Sequence, residues 1–158
     1  MIYTFSSIKF RLPPHNQMKT LNTIADSRII TGSELFEMGD LGPCELIDGR
    51  IIRMSPTGGE HGWLELNIGS RLRDYVVAKK LGWVLCGEVG IYTKRHPDRV
   101  RGADIVFISR KRSPDRPQKG FLEVKPSLVV EIISPTDLWI DIQQKIEEYF
   151  LISPMFTT

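Results

Sequence analysis

Two carboxylates stand inside stretches that otherwise have the apolar pattern of β-strands. Asp104 lies at the head of the apolar run in "RGADIVFISR", and Glu131 stands between valines and isoleucines in "SLVVEIISP". An isolated charge is costly to bury beside apolar neighbours, so each acid needs a partner. The pattern therefore predicts that the two strands are neighbours and that the two acids meet.

A divalent cation is one partner that would suit both acids. Two like charges held close together repel, and a cation between them removes that repulsion. Mg²⁺ prefers oxygen ligands, and a bound ion lowers the pKa of water and stabilises negative charge that develops on a phosphate. The alternative is two separate acids at strand ends, each satisfied by an arginine or by backbone N–H groups. The spacing alone leaves both interpretations open.

The order of several short motifs resembles one nuclease family. "VRGADIVFIS", "PSLVVEIISPTD" and "DIQQKIEEYF" follow one another, and "ELIDGRIIRMSPTGGEHG" precedes them. Together they resemble the family often called Uma-two, whose members are classed as restriction endonucleases of the PD-(D/E)XK superfamily. The likeness spans residues 31 to 150. It implies a restriction-endonuclease-like α/β core, in which a mixed β-sheet is flanked by helices.

The resemblance also implies a function and a set of site residues. It matches Asp104 and Glu131 to the family's metal-binding acids, with Mg²⁺ or Mn²⁺ as the cofactor. The expected activity is hydrolysis of phosphodiester bonds in DNA. The alternative is a degenerate nuclease fold that binds nucleic acid or protein without cleaving anything. A homodimer is a further expectation.

The sequence departs from the superfamily pattern at one position. Ile133 stands two residues after Glu131, where the superfamily usually has lysine, and an isoleucine cannot orient or activate a water molecule. Lys145 on the next helix is the substitute that similar family members suggest. The alternative for Lys145 is a surface pair with Asp141, which lies four residues earlier on the same helix face.

Two further residues are candidates for the same site. Glu45 follows the first cysteine in a predicted strand and would be a third acid near the metal, unless it faces solvent. His61 lies at the start of the longest predicted helix, where it would contact a phosphate or would be only a polar surface residue. The three tryptophans, Trp63, Trp83 and Trp139, lie in amphipathic or apolar runs and are predicted to belong to the core.

Positive charge is concentrated in one segment. Between Lys94 and Lys119 there are nine lysines or arginines and three aspartates. Such asymmetry is typical of a surface for a polyanion, and it is also found in solvated loops. The residues predicted to contact nucleic acid are Arg101, Arg110, Lys111, Arg112 and Arg116.

The elements that must position these residues follow from periodicity and turn signals. Asp48-Gly49 predicts a hairpin, Leu64 to Val76 has helical spacing after a Thr57–Glu60 capping box, and Gly87 and Gly90 predict a bulged strand. A final helix begins near Leu138. We predict one domain over residues 31–152, an irregular arm over 1–30 with Met18 as an alternative start, and a tail over 153–158 that is shorter than the family's usual continuation.

The predicted location is the cytoplasm, without a membrane span. The N-terminus has no uninterrupted apolar core, because charged residues and Pro13-Pro14 break it. No apolar run approaches the length of a span.

Overall fold

The computed structural model describes residues 2–3, 28–117, 119–135 and 137–152. The predictions for the N-terminal arm and the tail therefore fall mostly outside the described residues. The strands are β1 (Ile2–Tyr3), β2 (Cys44–Ile47), β3 (Arg50–Arg53), β4 (Gly82–Lys94), β5 (Arg99–Ser109) and β6 (Leu128–Val130). The helices are α1 (Gly32–Glu37), α2 (Gly59–Ala78) and α3 (Trp139–Leu151).

The strands form one sheet around β5. The order is β1-β6-β5-β2-β3, and β4 pairs with the other edge of β5 along most of its length. All of these strand pairs are antiparallel, and the parallel component of the described sheet is a single bridge between Ile91 and Leu122. Strand β5 is flanked on both edges, and its residues are buried almost throughout. The prediction of a mixed α and β fold with a sheet flanked by helices is confirmed.

Two clusters of buried apolar side chains hold the helices on the sheet. One joins Tyr149 and Ile152, at the end of α3, to Val106 and other residues of the sheet. The other joins Leu35 of α1 to strand residues such as Leu46 and Val100. Helix α2 packs on β4 and β5, and close approach is possible because Gly69 faces Cys86: a Cβ at Gly69 would lie 2.7 Å from the Cys86 sulfur.

Several local predictions are corrected by the structure. Helix α2 begins after Gly58 without a side-chain cap, so the predicted Thr57–Glu60 capping box does not form, whereas Thr31 and Glu34 form one on α1. Trp63 and Trp139 are 63% and 51% exposed, so these two tryptophans do not belong to the core. Both stand on helix faces that the sheet does not cover. None of the described helices is long and apolar enough to cross a membrane.

Candidate active site

Asp104 lies at the point where three separate segments meet. Its side chain is almost fully buried in the middle of β5. Asp104 Oδ1 is 2.9 Å from His61 Nε2 in the first turn of α2, and Asp104 Oδ2 accepts the N–H of Ile132 at 2.5 Å. Ile132 directly follows Glu131. The structure therefore brings the two predicted acids to the same region, where the negative charge of Asp104 acts on the Glu131 carboxyl group.

A third acid reaches this region from a β-bulge. The register of β4 against β5 shifts between Cys86 and Val89, where the sequence predicted a bulge. Gly87 and Glu88 have positive φ angles of 93° and 54°, and the Gly87 N–H donates to the Glu65 carboxylate. A bulge takes a residue out of the ladder and re-aims its side chain. Glu88 keeps part of its side chain exposed, and the partial burial of its carboxyl group, followed by the negative charge of Asp104, raises its pKa.

The donor atoms of His61, Glu88 and Asp104 suit a divalent ion. One ligand atom from each residue lies within 4.8 Å of the others. Carboxylate oxygens suit Mg²⁺ and Mn²⁺, and imidazole nitrogen suits several transition metals. The negative charge of Asp104 repels that of Glu88 and contributes to its raised pKa, and a cation bound between the two acids would relieve this repulsion. Glu131 does not belong to this group of three.

Glu131 lies just beyond the end of β6 and is held by α3. Its Oε1 is 2.7 Å from the Tyr149 hydroxyl and 3.7 Å from Lys145 Nζ. Burial raises the pKa of Glu131 to about 7, because the opposing effects of Lys145 and of the Tyr149 hydrogen bond do not offset it. The Tyr149 hydroxyl also lies 3.1 Å from the Gly102 carbonyl oxygen. A hydroxyl has one proton, so Tyr149 donates to one of these acceptors at a time.

The side chain of Lys145 extends from α3 to Gly102, Glu45 and Glu131. Its ammonium donates to the Gly102 carbonyl at 2.9 Å and pairs with Glu45 Oε1 at 3.0 Å. Burial acts to lower the pKa of Lys145, but Glu131 and Glu45 outweigh it and raise the pKa, so the ammonium stays charged. The carboxylates that Lys145 pairs with are therefore those of Glu45 and Glu131, not that of Asp141.

Glu45 is buried, and the alternative in which it faces solvent is wrong. Its side chain is 4% exposed and accepts from the Gly102 N–H at 3.0 Å and from Arg101 Nη1 at 2.8 Å. Although burial acts in the opposite direction, Lys145 and Arg101 hold the pKa of Glu45 below its usual value. Glu45 is thus an ionised acid that anchors the ammonium of Lys145.

Arg101 is not available to a nucleic-acid phosphate, which corrects its predicted role. It is 8% exposed, and its guanidinium donates to both oxygens of Glu148 at 2.7 Å as well as to Glu45. Arg101 is the third residue of the buried strand β5, and its charge is neutralised inside the protein by Glu45 and Glu148. The sequence analysis did not single out Glu148, Tyr149 or Glu88. For Glu88, an acid directly after the bulge glycine Gly87 was the available signal.

The remaining basic residues of the predicted interface lie on the loop after β5. Arg110, Lys111, Arg112 and Arg116 are exposed, but Arg112 donates to the backbone carbonyls of Lys125 and Pro126. Arg110 lies over the Trp83 ring at 5.0 Å. Ser109, the last residue of β5, is five positions after Asp104, so at about 3.3 Å per residue the loop begins roughly 17 Å from Asp104.

Comparison with known proteins places the chain in a nuclease family. Residues 33–153 match the family described as "Uma2: Putative restriction endonuclease". The protein belongs to this family, which confirms the resemblance drawn from its motifs.

A solved structure shares the fold. It is described as the crystal structure of "a putative nuclease belonging to DUF820" from Anabaena variabilis ATCC 29413, with a TM-score of 0.60 and 23% sequence identity. The similarity covers 76% of this chain and 67% of that one. None of the curated proteins matches the chain.

Proposed function

We propose that the protein is a nuclease that uses a divalent metal ion to hydrolyse phosphodiester bonds in DNA. The observation that carries the proposal is the cluster around Asp104, where His61 and Glu88 supply further donor atoms and Lys145 supplies a cation nearby. Family membership gives the class of reaction. The proposal takes Asp104, His61 and Glu88 as the metal ligands and retains Mg²⁺ or Mn²⁺ as the ion. The imidazole nitrogen favours Mn²⁺ within that pair.

The metal ion would supply Lewis-acid activation of water and stabilisation of phosphate charge. The protein's own part is to hold the ligands in place. Asp104 is fixed by the Ile132 N–H, and the bulge fixes Glu88. A ligand set carried by strands and a helix start is held more rigidly than one carried by loops, which is the arrangement that preorganised catalysis needs.

Glu131 accepts the proton of the attacking water, and Lys145 stabilises the negative charge that develops. A carboxyl group with a pKa of about 7 is partly ionised at neutral pH and can accept a proton from an attacking water. The ammonium of Lys145, 3.7 Å from Glu131 Oε1, faces the place where negative charge develops. Glu45 and the Gly102 carbonyl orient that ammonium. Lys145 thereby takes the role of the superfamily lysine, for which Ile133 is unsuited.

Cleavage and metal binding are the two measurements that test the proposal. Plasmid and short duplex DNA are incubated with Mg²⁺, with Mn²⁺ and with a chelator, and Mn²⁺ affinity is measured by calorimetry. We expect cleavage with metal only. Asp104→Asn should lower cleavage by more than the roughly 10–100-fold that loss of an outer-shell partner costs. Glu88→Gln should weaken Mn²⁺ binding.

The matched control is Asp74→Asn, an exposed acid on α2. It should leave both measurements unchanged. Metal binding by the parent protein without cleavage of any substrate would instead support the non-enzymatic alternative. Unchanged Mn²⁺ affinity in Glu88→Gln, together with a loss in Glu131→Gln, would restore the Asp104/Glu131 pair as the metal ligands.

A further inference from the structure

A cavity of about 420 Å³ opens directly beside the candidate active site. Its walls come from α1, from the loop and first residue that lead into β2, and from Phe121. The lining also includes Glu88 and Gly90 of β4 and Gly102 of β5. Glu88 is also one of the three candidate metal ligands, and the Gly102 backbone contacts Lys145 and Glu45. A molecule in this cavity would therefore lie next to the Asp104 cluster.

The cavity is walled by aromatic and aliphatic side chains. The rings of Phe36 and Phe121 stand edge to face with centroids 5.6 Å apart, and Tyr92 supports Phe121 in the same way at 6.1 Å. Phe36 is 48% exposed, so part of its ring is open to an incoming molecule. A Cβ at Gly90 would lie 2.2 Å from the Phe121 ring. Glycine at this position allows the ring to lie against the strand.

The charged side chains in the lining are acidic. Among the described residues, the side chains that line the cavity include two acids, Asp40 and Glu88, and no lysine, arginine or histidine. Such a lining repels a bare phosphate and favours a neutral molecule with hydrogen-bond donors at its edge. An apolar, aromatic-walled site with a few polar groups is the usual form of a small-molecule or base pocket.

We propose that this cavity receives an unstacked nucleobase of the substrate, next to the phosphodiester bond that is cut. This inference rests on the proposed nuclease function and gives it a substrate class. A base has an apolar π-face for Phe36 and exocyclic or ring N–H donors for the two acids of the lining, Asp40 and Glu88. A base in a duplex must first be unpaired and unstacked, whereas a single strand presents it directly. The protein should therefore prefer single-stranded or locally unpaired nucleic acid.

Binding to single strands tests the cavity separately from cleavage. The probe is an end-labelled single-stranded 12-nucleotide deoxyoligonucleotide, followed by fluorescence anisotropy with Ca²⁺ in place of Mn²⁺. Phe36→Ala should weaken binding by roughly 5- to 150-fold, the range for loss of one base stacked on an aromatic ring. Phe36→Trp should restore it. The matched control is Phe150→Ala, since Phe150 is an aromatic residue on α3 with a similar exposure of 42%.

A chain of deoxyribose phosphates without bases is the second probe. The parent protein should bind it more weakly than the natural oligonucleotide, and Phe36→Ala should weaken that binding no further. Equal affinity of the parent for both chains, or equal effects of Phe36→Ala and Phe150→Ala, would overturn the inference.

Cleavage of the same oligonucleotide and of its duplex with Mn²⁺ separates the two proposals. Faster cleavage of the single strand supports the inference. Base-dependent binding without cleavage of either form would count against the nuclease function and leave the cavity as a base site. Equal cleavage of both forms, with no effect of Phe36→Ala, would leave the nuclease function and exclude the cavity.

Discussion

The charged residues of the site are each stabilised by specific partners. Glu45 accepts three contacts, from the Gly102 N–H, from Arg101 and from Lys145, and Arg101 also binds Glu148. Removing one member of a buried ion pair leaves its partner unpaired and is strongly destabilising. The burial of Lys145 and Arg101 among these acids is therefore explained by the network that they complete.

Lys145→Met is the substitution that tests the displaced lysine. Methionine keeps an unbranched apolar side chain of similar length but removes the ammonium near Glu131. We expect cleavage to fall by about 100-fold, the size of losing one oriented charge-stabilising group. Mn²⁺ affinity should stay close to that of the parent, because Lys145 is not a ligand. Single-turnover cleavage and calorimetry measure the two effects.

Lys79→Met is the control for this substitution. Lys79 is an exposed lysine at the C-terminal end of α2, whereas His61 lies at the other end of that helix. The Lys79→Met variant should cleave as the parent does. A Lys145→Met variant that cleaves at the parent rate would exclude Lys145 from the reaction, and Glu131 or the metal would have to account for the full rate.

At the scale of the element, the basic segment from Lys94 to Lys119 has two parts, the β4–β5 turn and the loop after β5. Around the β4–β5 turn, Lys94 and Arg99 pair with Asp48, and Arg95 pairs with Asp98 and Glu123. These cations are compensated by acids of the protein itself. The other exposed cations in the described part of this segment are on the loop that follows Ser109.

This loop is expected to contribute through phosphate contacts. Replacing Arg110 and Lys111 together with glutamine should reduce the slope of log affinity against log salt by about 1.8 on duplex DNA, or about 1.4 on single strands. Affinity measured at several salt concentrations gives the slope. Arg50→Gln, an exposed arginine on the β2–β3 hairpin, is the control and should leave the slope unchanged. An unchanged slope in the double variant would indicate an ordinary solvated loop.

At the scale of the whole molecule, the burial of Glu131 links stability to pH. Its pKa is raised from 4.5 to about 7 in the folded protein. Between these values the folded state keeps a proton that the unfolded state has released, so the free energy of unfolding falls as pH rises through this range. Below about pH 4.5 both states are protonated, and the stabilising contribution is fully present.

Glu131→Gln should remove this part of the pH dependence. Urea unfolding of parent and variant at intervals from pH 4.5 to 7.5 measures it, and the difference between them isolates Glu131 from other titrating groups. The exposed Glu147→Gln on α3 is the control. Parallel stability curves for parent and Glu131→Gln would show that Glu131 ionises in the folded protein much as it does in the unfolded chain.

Much of the architecture could be predicted from local patterns. The Asp48-Gly49 hairpin, the start of α3 after Leu138, strand β5 and the bulge near Gly87 all appear as expected. These features depend on turn chemistry and side-chain periodicity, which act over a few residues. The Thr57–Glu60 capping box did not form, although the same pattern forms at Thr31–Glu34. A capping pattern thus permits a cap without enforcing it.

The domain limits, the cytoplasmic location and a homodimer remain predictions.

The sequence by itself determined that Asp104 and Glu131 need partners, because a carboxylate within an apolar strand cannot remain unpaired. Only the tertiary structure decided which partners these are. Asp104 meets His61 and the Ile132 N–H, Glu131 meets Tyr149 and Lys145, and Arg101 turns inward to Glu45 and Glu148 instead of outward to phosphate. Residues that meet in this way are more than 40 positions apart in several cases, as with Asp104 and His61. Periodicity encodes which face of an element is buried, but the pairing of charges depends on how separate elements are packed against one another.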